Sequence, residues 1–66
     1  MHARLKQGPG DGKDFDVGEN PSPTAFLCAG GRQFPAEVHR YQLTDVNRAP
    51  NAPEPRATYQ HAGRVN

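Results

Sequence analysis

Four side chains in this sequence, His2, Cys28, His39 and His61, have the nitrogen or sulfur donors that first-row metals take as ligands. None is paired at the short spacing that marks a zinc site, such as two cysteines separated by two residues. His39 and His61 meet only if their strands lie side by side. The expected reading is therefore histidines at the surface or half-buried, with no metal and no cofactor. Cys28, inside Phe26-Leu27-Cys28-Ala29, reads as a small buried hydrophobe. No local signature supports a Cys–His–acid nucleophile.

Gly8-Pro9-Gly10-Asp11-Gly12-Lys13 invites comparison with a phosphate loop. Such a loop needs backbone N–H groups converging on the anion, then a lysine followed by Ser or Thr for magnesium. Here Asp14 follows Lys13 and repels phosphate. Gln7 stands where the first glycine is required, and Pro9 removes a donor. The Rossmann spacing fails at Lys13. A turn whose glycines supply positive φ is the simpler reading.

The aromatic residues are Phe15, Phe26, Phe34, Tyr41 and Tyr59, and Tyr41 has His39 and Arg40 beside it. A small barrel that stacks bases needs Arg40, Tyr41, Arg56 and Tyr59 on one exposed face. A net charge of +1 offers no clustered basic surface. The rings are also needed inside, so nucleic acid is disfavoured as a partner.

The need for rings inside follows from composition. Of 66 residues, 33% are apolar and eight of those are alanine, leaving fourteen larger apolar side chains and neither Ile nor Trp. That is a thin core for one small domain, 1–66, and no basis for a deep catalytic pocket, so no enzyme is expected. The longest apolar run, Ala25 to Ala29, is too short to cross a bilayer. A single cysteine makes no internal disulfide. Met1 to Lys6 has no apolar stretch behind its charges, so secretion by a signal peptide is not expected. Arginines at 32, 40, 48, 56 and 64 have no apolar position repeating with them, and the spacing reads as chance.

Gly and Pro cut the chain at 8–12, 18–23, 30–31 and 49–55, leaving no piece long enough for a stable amphipathic helix. The pieces alternate instead. Ala3 and Leu5 share one face of 2–7, and Phe15 and Val17 one face of 13–17. The Gly/Asp loop between them predicts a hairpin. Residues 24–29 read as a strand covered on both sides. In 37–44, His39, Tyr41 and Leu43 share a face, with Val38, Arg40 and Gln42 opposite. Residues 56–62 put Ala57, Tyr59 and His61 together. Residues 45–55 have no periodicity and read as a Pro-rich arm or linker. The expected fold class is all-β: a small antiparallel sheet or barrel of four to five short strands with Pro/Gly-rich loops and an extended arm.

Ala3-Arg4-Leu5 followed by Gly8-Pro9-Gly10-Asp11-Gly12 resembles small β proteins encoded among the virion genes of tailed phages and prophages of GC-rich bacteria. In these a short strand enters a Gly-Pro-x-Asp-Gly turn and a second strand. A Pro-rich connector follows, then a Tyr-containing strand like Val38-His39-Arg40-Tyr41-Gln42-Leu43, and a closing strand like Thr58-Tyr59-Gln60-His61-Ala62-Gly63-Arg64. The chain departs from them at Gln7, where glycine is commoner, and in its apolar Phe26-Leu27-Cys28 strand.

The resemblance implies a virion location, with the cytoplasm as the alternative, and carries no catalytic residue across. The expected function is a non-enzymatic structural or interaction protein bound to a larger protein assembly, as a phage capsid decoration (minor capsid) or head–tail component. The alternatives are a nucleic-acid-binding β-barrel and an inhibitor or regulator of one target protein. The expected partner is a capsid or other virion protein, with self-association through the assembly and no membrane. The expected contacts are Phe34, Val46, Pro50, Pro53, Pro55 and Tyr59. Proline is already restricted, so an arm carrying it loses little entropy on docking.

Overall fold

The computed structural model describes residues 1–30 and 35–66. Among these described residues five strands form one sheet: β1 (His2–Lys6), β2 (Asp14–Asp16), β3 (Thr24–Ala29), β4 (Glu37–Val46) and β5 (Ala57–Arg64), with one 3-10 turn at Gly8–Gly10. The spatial order is β2-β1-β5-β4-β3, and the sheet curls into a half-barrel. Its strands are those the alternation predicts, and the class is all-β as expected.

The sheet is mixed. β1 pairs antiparallel with β2, with Ala3 opposite Phe15, and parallel with β5, with Leu5 level with Tyr59. The first and last strands therefore meet inside the sheet. Alternation cannot report strand direction, because it is identical in both senses. β4 pairs antiparallel with β5, and the register shifts at Arg40/Tyr41 and again at Leu43/Asp45. Two such irregularities bend a long strand and increase its twist, as a curled sheet requires.

The concave face holds the core of Ala3, Leu5, Tyr41, Ala57 and Tyr59, all buried, with Met1, Phe15, Val17, Ala25, Leu27 and Leu43 packed around them. Small side chains at 3, 25 and 57 leave the two tyrosine rings room to fill the concavity. Phe15 and Tyr59 rings tilt against each other, with centroids 5.6 Å apart. Each tyrosine hydroxyl finds a backbone partner. Tyr41 donates to the Gln7 carbonyl at 2.8 Å and accepts from the Gly10 amide at 2.9 Å. Tyr59 donates to the Ser22 carbonyl at 2.6 Å. The two rings thus pin the β1–β2 turn and the β2–β3 connection.

Three expectations need correction. β3 is an edge strand and is not covered on both faces: Phe26 is 62% exposed and Cys28 is also exposed. Alternation resumes in it once Ala25 and Leu27 face inward and Phe26 and Cys28 outward. A continuous apolar run does not distinguish a buried strand from an edge strand with an apolar outer face. Next, Asp45 and Val46 belong to β4, paired with Thr58 and Ala57. The rest of the 45–55 stretch is a closed loop, not an extended arm. The Asn47 amide bonds the Arg56 carbonyl at 2.7 Å, Ala52 bonds Ala49, and Arg48 reaches the Glu19 carbonyl at 2.9 Å.

Candidate functional site

The half-barrel is open on one side. Its two edge strands, β2 and β3, face each other across a slot of about 160 Å³ lined by Leu5, Lys13, Asp14, Phe15, Ala25, Phe26, Leu27 and Tyr41. The lining is largely apolar, and Lys13 and Asp14 stand on the β2 side. Among the described residues, no strand pairs with the outer edge of β2 or of β3. An edge of this kind presents unpaired N–H and C=O groups to any extended segment that approaches. Phe26 places a ring beside that edge, next to the slot. Chemically the arrangement suits main-chain pairing with side-chain insertion.

The β2 edge is held by charge. The Arg4 guanidinium donates to both carboxylate oxygens of Asp14, at 2.6 and 3.0 Å. That hydrogen bond, with smaller help from the arginine charge, holds the Asp14 carboxyl below its ordinary value and raises the Arg4 value. Asp16 accepts from the Gly18 amide at 3.0 Å and from the terminal amine of Met1 at 3.2 Å. The first of these contributes most to lowering the Asp16 value.

A second group lies where β4 and β5 leave the tyrosine core. His39 Nδ1 is 2.9 Å from His61 Nε2, and His39 Nε2 is 3.3 Å from Glu37 Oε2. Glu37 Oε1 takes Arg64 at 2.9 Å. The Tyr41 ring meets His61 edge-on, with centroids 5.2 Å apart. The two histidines do meet across neighbouring strands, because positions 39, 41 and 61 all face the concave side. Among the described residues no group of three or more His, Cys, Asp or Glu gathers as a metal cluster.

Of the residues expected at a contact surface, Pro50 and Pro53 are exposed, and Val46 and Pro55 are half-buried beside the β4–β5 loop. Tyr59 is only 1% exposed and belongs to the core, where it offers a partner no surface. Phe34 lies outside the described residues. Tyr41 and Tyr59 are both buried, so the exposed stacking face that a base-binding reading requires from Arg40, Tyr41, Arg56 and Tyr59 is absent.

Sequence reasoning missed Phe26 and the β3 edge. The signal in the sequence was the apolar run Phe26-Leu27-Cys28 itself, which an edge strand with an apolar outer face produces as readily as a buried one. No family model matches the chain, and neither the curated proteins nor the solved structures searched include a match.

Proposed function

We propose that this chain is a non-enzymatic interaction protein that docks on a larger protein assembly, as a capsid decoration, minor capsid or head–tail component of a virion. The observation that carries the docking part is Phe26, 62% exposed on an edge strand that flanks an apolar slot. Soluble domains commonly blunt such edges with charge, proline or a covering segment. An apolar ring on an unpaired edge supports pairing with a strand from elsewhere, main chain supplying affinity and the slot supplying selectivity. The virion part rests on the likeness of the β1 strand, its Gly-Pro-Gly-Asp-Gly turn and the two tyrosine strands to small phage proteins.

Virus particles purified from a culture that produces the chain test both parts. The expected result is that the chain co-sediments with capsid protein at many copies per particle, and that Phe26→Lys leaves the particle fraction while remaining folded. Particles lacking the chain would overturn the virion reading. A folded Phe26→Lys chain that stays on particles would overturn β3 as the docking edge. A single copy bound to one soluble target would favour the regulator reading instead.

A further inference from the structure

We infer that His39 and His61 form a binding site for a first-row divalent metal ion of the Zn(II)–Cu(II) class, with Glu37 as the group that sets the ligand tautomer. The inference is independent of the docking reading.

The argument starts from which nitrogen holds a proton. A carboxylate oxygen can only accept, so the 3.3 Å contact between Glu37 Oε2 and His39 Nε2 places a hydrogen on Nε2. Neutral His39 then has a bare lone pair on Nδ1. That lone pair faces His61 Nε2 at 2.9 Å, so His61 supplies the bridging N–H. His39 is therefore already in the tautomer that ligates through Nδ1, with its other nitrogen tied to a carboxylate. This carboxylate–histidine arrangement is the one that orients imidazole ligands in metal sites and raises their basicity. Glu37 is not itself a ligand: Arg64 holds its second oxygen at 2.9 Å.

The distances fit a metal in place of the bridging proton. With metal–nitrogen bonds of about 2.0–2.1 Å and tetrahedral angles, two imidazole nitrogens stand about 3.3 Å apart and the ring centroids about 5.2 Å apart. The observed centroid separation is 5.1 Å, with the rings inclined at 38°. The ring centres thus need almost no movement. The lone pairs now lie almost on one line, so each ring must turn by about 35° for them to converge at a tetrahedral angle, which opens the nitrogens by about 0.4 Å. On binding, the proton leaves His61 Nε2 and one returns to His61 Nδ1, so the neutral pair takes the ion with no net proton change. With no third protein ligand among the described residues, water completes the shell.

The local backbone is shaped around this pair. A side chain at Gly8 would lie 2.5 Å from His61 Cδ2, so the imidazole occupies space that only glycine leaves open. The Tyr41 ring supports His61 from another side, and the Tyr41 hydroxyl is spent on Gln7 and Gly10.

The test uses the full untagged chain carrying His2→Ala and Cys28→Ser, because the exposed Cys28 thiol is a metal ligand and a reductant of Cu²⁺ in its own right. His2 next to the terminal amine is a chelating pair for Cu(II) in its own right and must be removed. Zn²⁺ and Cu²⁺ are titrated by calorimetry. One equivalent is expected to bind, Cu²⁺ more tightly in line with the general affinity order. His61→Ala is expected to lose at least tenfold in affinity, and Glu37→Gln about 10–100-fold, with the fold checked by circular dichroism. Should a variant unfold, long-range ¹⁵N correlation spectra of the chain carrying His2→Ala and Cys28→Ser decide. Zn²⁺ is expected to shift His39 Nδ1 and His61 Nε2 and no other imidazole nitrogen as strongly. Binding unchanged in folded His61→Ala, no binding, or zinc shifts at other nitrogens would each overturn the inference.

Discussion

The Tyr41 hydroxyl lies 2.9 Å from the amide nitrogen of Gly10, thirty-one residues earlier in the chain. It donates in turn to the Gln7 carbonyl at 2.8 Å, so one phenol closes both ends of the β1–β2 turn onto the middle of β4. Gly10 is buried, and its amide has no water to turn to. The bond therefore links a local turn to the long-range core. Tyr41→Phe is expected to cost about 1–3 kcal/mol, because it strands a buried donor. Tyr59→Phe removes one bond to the carbonyl of Ser22 and is expected to cost about 1 kcal/mol. Urea unfolding of both variants checks the order; Tyr59→Phe costing more would show that the turn is not held this way.

Two glycines in that turn are required for different reasons. A Cβ on Gly10 would come within 2.7 Å of both Leu27 Cδ2 and Leu5 Cδ1, whereas one on Gly12 would meet nothing. Gly12 instead adopts φ +83°. Gly10→Ala is expected to cost about 1–3 kcal/mol by overpacking. Gly12→Ala is expected to cost about 1 kcal/mol through backbone strain, and Gly12→Asn less, since Asn tolerates left-handed φ. Thermal melts of the three variants separate crowding from conformation.

Gln7 holds φ 65° and ψ 173°, a region almost confined to glycine. Its amide donates to Asp11 Oδ1 at 2.7 Å and its carbonyl accepts from Tyr41, which together hold it there. Glycine at this position is expected to stabilise the chain by about 1 kcal/mol. A lower melting temperature for Gln7→Gly would contradict the strain.

Acid should loosen the β2 edge first. The Asp14 and Asp16 carboxyls titrate below the ordinary value of 3.8 in the folded chain. A depressed carboxyl contributes stability that is full above the unfolded value and is lost as pH falls through the folded one. Stability is therefore expected to decline from about pH 4 downward, with Asp14→Asn flattening the decline. Tyr59 works at the other end: burial raises its value above 10.0, so its contribution is present below pH 10 and is lost as pH rises through the folded value. Denaturant midpoints across pH measure both slopes.

Phe26→Ser is expected to leave stability within about 0.5 kcal/mol, because the ring projects outward from an edge strand. A larger loss would place the ring in the core and remove it from the docking edge.

The residue sequence by itself determined the all-β class, the positions of the strands, and the inward faces of His39–Tyr41–Leu43 and Ala57–Tyr59–His61. These follow from the two-residue period of side chains along a strand, which is a local property. It also showed a turn at 8–12, where glycine spacing and Asp11 encode local geometry. Only the tertiary structure decided the rest. Pairing of β1 with β5 in parallel joins the two ends of the chain, and no local pattern records direction or neighbour. That pairing makes β3 an edge, which turns Phe26 and Cys28 from expected core residues into surface. The same sheet order makes β4 and β5 neighbours and brings His39 within hydrogen-bond distance of His61. Proline-rich 47–55 read as free because proline restricts a chain without saying what closes it. The closing bonds, Asn47 to Arg56 and Arg56 to the carbonyl of His2, come from residues distant in sequence, and so are set by the assembled sheet.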